Sequence, residues 1–208
     1  IVLEKNAHYW KPGLPYLDRI EFKIMKDGVT RATALRAGEV DYVSWVPREH
    51  ADRVMKDPKV QVWTGKGSST AFSAFNVSRK PFDDSKVRVA LAGYGIDRRA
   101  IAKAALLGHG GPQWGFLPPG AKGFLDLSEL YPYDPEKAKA LLKEAGFDEQ
   151  KPLKYSLITH AGESSLPTIA TIMKTQLAKA GVQLNIEVLD RPIFLKRANG
   201  HDYEQLLN

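Results

Sequence analysis

The chain has 208 residues, of which 43% are hydrophobic and 26% are charged, a composition typical of a globular protein with a substantial core. The net charge of +6 does not form a basic patch, because acidic residues are interspersed among the lysines and arginines, and this argues against nucleic-acid binding. The absence of cysteine excludes disulfides and Cys-based zinc or redox sites. No apolar run approaches the roughly 20 residues that cross a bilayer.

The first 65 residues combine strand and helix patterns. Apolar and charged residues alternate over 20–24, which is the period of a half-buried strand. Asp27 or Thr30 can cap a helix, and Gly38 supplies the left-handed residue that commonly follows one. The other predicted elements are a helix over about 47–55 and two strands, 40–45 and 60–64.

The central stretch, residues 70–107, contains a strand followed by two helical patterns. Residues 70–76 predict the strand, and Pro81 lies in the polar turn after it. Asp97 is placed to cap the second helix. Beyond it, the glycines and prolines of 108–124 exclude regular structure and predict a long loop that displays Trp114 and Phe116.

The last third of the chain predicts a strand, a helix and a strand that form a parallel βαβ unit. Ligands of such sheets lie beyond the carboxyl ends of the strands, which directs attention to 159–165 and to the segment after Leu189. The predicted elements are a helix capped by Asp134 and ended by Gly146, a strand over 153–159, a helix over 166–180, a strand over 182–189, a helix over 192–199, and a further strand after 201–204.

Three blocks of the sequence carry a resemblance to a known family. They are Phe75-Asn76 with 81–84, 87–90 and 95–98; Tyr9-Trp10 with 15–18, 31–35 and 38–41; and 133–147, which reads YDPEKAKALLKEAGF. With these blocks the chain resembles the extracytoplasmic solute-binding proteins of peptide- and nickel-type ABC importers, the oligopeptide- and dipeptide-binding family. Together the blocks cover much of the chain.

The resemblance implies an α/β fold: a periplasmic-binding-protein-like lobe with a mixed sheet flanked by helices, plus part of the hinge and of the other lobe. On this basis residues 1–65 are the end of the first lobe with hinge-side strands, and 66–208 are the second α/β lobe, truncated before its return to the first. Residues 65–69 form either the hinge crossing or a plain surface loop, and the glycine and serine there permit both.

The resemblance also implies a function. The chain is expected to be an internal fragment of a monomeric, periplasmic importer component whose signal peptide is not present in this chain. Its partners would be a small solute of the peptide type and an ABC permease in the inner membrane, with no cofactor and no nucleic acid. Capture would occur by closure of two lobes, so a single lobe is expected to bind weakly.

Four residues are candidate ligand contacts: Phe72, Asn76, Trp114 and Arg197. A peptide site needs an apolar, aromatic lining and a few fixed charges for the peptide termini, and the guanidinium of Arg197 can grip a carboxylate with two parallel hydrogen bonds. The alternatives are a core position for Phe72 and a solvated helix residue for Arg197. Arg88 and Asp97 are assigned to structure.

Catalysis and metal binding are weaker interpretations. His160, Glu163 and Ser164-Ser165 lie close in sequence, but they lack the Gly-x-Ser-x-Gly elbow of a serine hydrolase. The 5 histidines show no short ligand spacing, so neither catalytic nor metal-binding residues are predicted. The remaining alternative is a sensor, a regulatory protein or an enzyme that has borrowed a solute-binding lobe.

Overall fold

The computed structural model describes residues 1–65, 70–119, 121–163 and 165–208. These residues form two compact units, Ile1–Thr64 and Gly65–Asn208. Most of the predicted hinge segment, residues 66–69, lies outside the described residues, as does Ser164. The assignment of the two units to the ends of one lobe and to a second lobe stays a prediction.

The first unit contains two strands and two helices. The strands pair antiparallel, with Leu3 opposite Ile20. Asp27 caps the first helix by accepting hydrogen bonds from Thr30 N at 2.8 Å and Thr30 Oγ1 at 2.7 Å, and Gly38 follows with a left-handed φ of 74°. The helix predicted from this cap is therefore confirmed. The elements are β1 (Val2–Glu4), β2 (Arg19–Glu21), α1 (Gly28–Ala37) and α2 (Arg48–Met55).

Of the three strands predicted for this unit, two are wrong and the one over 20–24 is confirmed only in part. The strand predicted to be half-buried over 20–24 is shorter than expected. All three residues of β2 are exposed, so the described part of this unit does not cover the two-stranded sheet. Residues 40–45 and 60–64 are irregular. A strand needs a partner to complete its backbone hydrogen bonds, and apolar residues alone do not supply one. Trp45 instead has a positive φ of 65°, which is incompatible with an extended strand.

The second unit is built on a four-stranded sheet in the order β3-β6-β4-β5. Strand β4 is parallel to both β5 and β6, whereas β3 is antiparallel to β6, so the sheet is mixed. The elements are β3 (Ser73–Phe75), α3 (Ser85–Arg88), a π-helical turn (Val89–Tyr94), α4 (Arg98–Leu106), α5 (Pro135–Glu144), β4 (Lys154–His160), α6 (Ser165–Lys179), β5 (Gln183–Leu189), α7 (Arg191–Asn199) and β6 (Gln205–Leu207).

Helices cover both faces of this sheet. Leu157 and Leu207 lie in the larger buried core, which the helices from α3 to α6 complete. Their neighbours Ile158 and Leu206 point to the opposite face, where they pack with Phe194 of α7. Because successive strand residues alternate between faces, the apolar runs of β4 and β6 fit this double covering. The predicted α/β lobe with helices flanking a mixed sheet is confirmed, as are the parallel βαβ pair and the helix after Asp134.

Local hydrogen bonds explain the helices that follow β3. Asp97 accepts from Ala100 N at 3.0 Å, as the predicted cap requires, and its own N–H donates to Gln176 Oε1 of α6. Arg88 donates to the carbonyl oxygens of Phe82 and Asp83, at 2.6 and 3.0 Å. Both side chains therefore have structural contacts, in agreement with their assignment to structure.

Candidate ligand-binding edge of the sheet

The two ends of the mixed sheet define two edges that differ in chemistry. The end at which β4, β5 and β6 finish is called the carboxyl edge. Because β3 runs antiparallel to β6, β3 begins at this edge, directly after Phe72. The opposite end, with Asn76 and residues 201–204, is the amino edge. Phe72 extends the ladder at the carboxyl edge, because its N–H donates to Asn208 O at 2.8 Å and Asn208 N–H donates to Phe72 O at 3.0 Å.

His160 ends β4 at the carboxyl edge and fixes the loop that follows. Its Nδ1 accepts a hydrogen bond from Gly162 N–H at 3.0 Å, so the proton of the neutral ring is on Nε2, which donates to Asn208 Oδ1 at 3.0 Å. The ring is 4% exposed and packs on Phe194 with centroids 5.0 Å apart. One ring nitrogen thus holds the loop after β4, and the other joins the end of β4 to Asn208, which follows β6.

The aromatic candidates lie on two segments of this unit. The side chain of Phe72 is 51% exposed, so it is not the core residue that the alternative interpretation requires. Trp114 is half-buried in the loop, where the guanidinium carbon of Arg99 lies 5.1 Å from the ring centroid. The loop also displays Phe116, which is 98% exposed. Phe72, Trp114 and Phe116 can each offer aromatic surface to a ligand.

Arg191 is a site candidate that the sequence reasoning missed. It is an exposed residue that lies two positions after the end of β5 and begins α7. Its side chain lies beside the loop after β4, since a Cβ on Gly162 would be 3.8 Å from Arg191 Cδ. Among the described residues, none hydrogen-bonds or ion-pairs with its guanidinium. A cation in the first turn of a helix opposes the helix dipole, typically by about 0.3–1 kcal/mol, so its position brings no local stability. The sequence feature that could have identified Arg191 is its position in the segment after Leu189, where the βαβ prediction expects a ligand.

The amino edge holds the second candidate, Asn76, in a network of backbone contacts. Its Nδ2 donates to the carbonyl oxygens of His201 at 2.9 Å and Tyr203 at 3.1 Å, and its Oδ1 accepts from Ser78 N–H. The side chain is 8% exposed. Asn76 and Phe72 stand at opposite ends of β3, four residues or roughly 13 Å of extended chain apart.

The side chain of Arg197 also makes hydrogen bonds within the protein. Its Nη1 donates to Glu187 Oε2 at 2.6 Å, and its Nε donates to Asp202 O at 3.0 Å. Arg79 holds the same turn through Asp202 Oδ1 at 3.0 Å. The structure therefore brings Asn76 and Arg197 together around the turn 201–203, and it does not bring them to Phe72. A ligand role for either residue stays a prediction.

A buried tyrosine near the amino edge has no polar partner. Tyr155, the second residue of β4, is 5% exposed, and no described residue hydrogen-bonds to its hydroxyl. Burial, with a smaller contribution from the carboxylate of Glu204, raises the pKa of the Tyr155 phenol. Glu204 is itself held by Ser156, whose N–H and Oγ donate to Glu204 Oε2 at 2.7 and 2.9 Å.

Comparison with known proteins identifies the family. The model of "Bacterial extracellular solute-binding proteins, family 5 Middle" matches residues 1–208. The chain belongs to this family. The resemblance drawn from the sequence blocks is therefore confirmed.

Individual relatives agree with the family 5 assignment. The glutathione-binding protein GsiB of Shigella flexneri serotype 5b is 34% identical over 191 residues, which are 91% of this chain and 37% of that protein. The ABC transporter-associated periplasmic binding protein DppA of Helicobacter pylori, solved with the peptide STSA, matches all of this chain and 39% of its own, with 28% identity and a TM-score of 0.89.

A dipeptide-binding protein of Pseudoalteromonas sp. SM9913, solved with Met-Leu, matches 99% of this chain and 41% of its own, with 28% identity and a TM-score of 0.88. The chain thus spans less than half the length of these family 5 proteins. Their agreement in fold extends over both compact units, since each match covers nearly all of residues 1–208.

The described residues of this family 5 chain that were weighed for catalysis make hydrogen bonds within the protein. His160 uses both ring nitrogens, and the hydroxyl of Ser165 donates to Glu163 Oε1 at 2.8 Å. Ser164 lies outside the described residues. Within the described ranges, no three His, Cys, Asp or Glu side chains cluster as a metal site would require. No helix in the described part of the chain is long and apolar enough to span a membrane.

Proposed function

We propose that this protein is the solute-binding component of an ABC importer, and that it captures a peptide or a similar small solute and delivers it to a membrane permease. The observation that carries the proposal is the family 5 match over the whole chain. Relatives named for glutathione and solved with STSA or Met-Leu support a peptide-type solute. The association of DppA with an ABC transporter supports a permease as partner.

The proposed ligand contacts are at the carboxyl edge. Phe72 supplies exposed aromatic surface and the loop supplies Trp114, while the guanidinium of Arg191 is available for the carboxylate that ends a peptide. For Asn76 and Arg197, ligand contact would require the ligand to compete with hydrogen bonds that these side chains already make. We therefore place them second among the candidates.

The proposed mechanism is capture by lobe closure. A solute that contacts both lobes only in the closed state shifts the population toward closure by its difference in affinity for the two states. No step makes or breaks a covalent bond, so the role is binding and not catalysis. The proposed setting is the periplasm, with the protein acting as a monomer beside its permease.

Calorimetric titration tests this function on the protein in the complete length that its gene encodes. The ligands are glutathione, a set of dipeptides and tetrapeptides, and the same peptides with amidated carboxyl ends. We expect at least one free peptide to bind with a Kd of about 1 μM, and its amide to bind about tenfold more weakly. Absence of binding to every member of the set would contradict the peptide assignment. Equal binding of acid and amide would contradict the role of Arg191.

A further inference from the structure

The side chain of Gln113 makes three hydrogen bonds that hold the loop carrying Trp114. Its Nε2 donates to Gly115 O at 2.7 Å and Phe116 O at 3.2 Å, and its Oε1 accepts from Thr70 Oγ1 at 2.9 Å. Because two carbonyl oxygens can only accept, the amide orientation is fixed and the Thr70 hydroxyl must be the donor. The side chain of Gln113 thus closes the turn 113–116 and also connects this turn to the segment that contains Thr70.

The segment that contains Thr70 leads into the sheet. Thr70 precedes Phe72 by two residues, or roughly 7 Å of extended chain, and Phe72 continues the ladder with Asn208. The bond between Thr70 and Gln113 therefore ties the loop with Trp114 to the start of β3. Among the described residues from Thr70 to Phe72, no other side chain is hydrogen-bonded to the loop.

Trp114 is restrained from a second direction. Arg99, on the first turn of α4, lies with its guanidinium carbon 5.1 Å from the centroid of the indole ring. Such a contact is worth roughly 0.5–1 kcal/mol at an exposed site, which orients the ring but does not by itself fold the backbone around it. The bonds from Gln113 Nε2 to Gly115 O and Phe116 O, in contrast, act on the loop backbone itself.

We propose that Gln113 is a positioning residue, which holds the loop 113–116 against the start of β3 so that Trp114 and Phe72 meet the solute as one surface. This inference rests on the proposed function. Gln113 acts through its neighbours and needs no contact of its own with the solute. The two parts of its role are separable, because Nε2 closes the turn and Oε1 makes the tether to Thr70.

Three variants of the complete-length protein separate these parts. Thr70→Val removes only the tether. Gln113→Glu keeps an acceptor for Thr70 but replaces the donor to Gly115 O and Phe116 O by a carboxylate oxygen, so it opens only the turn. Gln113→Leu removes both. The matched control is Gln150→Leu, an exposed position in the turn after α5.

The first measurement needs no solute. After labelling with 5-fluorotryptophan, the fluorine resonance of Trp114 is assigned by its loss in Trp114→Phe and compared among the variants. We expect it to move most in Gln113→Leu and less in the single-function variants, while the resonances of Trp10, Trp45 and Trp63 stay in place. An unchanged Trp114 resonance in Gln113→Leu would overturn the positioning role.

The second measurement is solute affinity by calorimetry. We expect affinity to fall about tenfold in Gln113→Leu and about threefold in Thr70→Val and in Gln113→Glu, with no change in Gln150→Leu. A moved resonance with unchanged affinity would reduce Gln113 to a structural loop residue and overturn the proposal. If the wild-type protein binds no solute, the proposed function fails, and with it the claim that the surface meets one, whereas the fluorine signal still decides the loop geometry.

Discussion

At the amino edge of the sheet Asn76 and Arg197 are hydrogen-bonded within the protein, whereas at the carboxyl edge Phe72 and Arg191 are exposed and the guanidinium has no described partner. Asn76 and Arg197 both grip the turn 201–203, in which His201 has a positive φ of 54°. A non-glycine residue in that conformation costs roughly 1–2 kcal/mol, so the turn needs such bonds. Residue type thus selects candidates, but existing partners decide which side chains remain free for a ligand.

The largest expected effect tests the amino edge through Asn76→Ala. The change removes three hydrogen bonds and leaves two carbonyl oxygens and the Ser78 N–H without their partner, so we expect the free energy of unfolding to fall by about 2–4 kcal/mol. Urea denaturation measures it. Asn185→Ala, at an exposed position of β5, is the control and should change stability by less than about 0.5 kcal/mol. A loss of stability no larger than that of the control would contradict the structural role of Asn76.

A pair of arginine variants compares the two edges directly. Arg191→Gln should lower affinity for a free peptide about tenfold and change the free energy of unfolding by less than about 0.5 kcal/mol. Arg197→Gln should do the reverse, with a stability loss of about 1 kcal/mol from its bonds to Glu187 and Asp202 and with affinity unchanged. Calorimetry and urea denaturation of the same samples measure both. If Arg197→Gln lowered affinity and left stability unchanged, Arg197 would be the ligand contact in place of Arg191.

The smallest effect concerns Tyr155, a buried polar group without a partner among the described residues. Tyr155→Phe removes an unpaired hydroxyl, so we expect stability at neutral pH to be equal or to rise by up to about 1 kcal/mol, as urea denaturation would detect. Tyr16→Phe, at a position that is 85% exposed, is the control and should have no effect. A clear loss of stability in Tyr155→Phe would mean that the hydroxyl has a favourable interaction in solution.

The pH dependence of the same variant has a definite sign. The pKa of Tyr155 is raised in the folded state, so above pH of about 10 the unfolded chain loses this proton while the folded protein keeps it. The unfolded state then binds fewer protons, and stability falls as the pH rises further. Tyr155→Phe should remove that part of the alkaline loss, which denaturation at pH of about 9 to 11 would measure.

Features that depend on neighbouring residues follow directly from the sequence. Asp27, Asp97 and Asp134 each cap the helix expected of them, because a cap joins a side chain to a backbone N–H only two or three residues away. The motif blocks were also enough to identify the family, and the βαβ pair followed from hydrophobic periodicity.

Features that depend on residues distant in sequence are set by the fold. The strands expected over 40–45 and 60–64 did not form, because a strand exists only where another strand completes its hydrogen bonds. Likewise, the engagement of Arg197 with Glu187 and the lack of a described partner for Arg191 are facts about packing, and two arginines six positions apart look alike in a sequence. The physical reason is that hydrogen-bond saturation of a side chain is set by the whole fold around it.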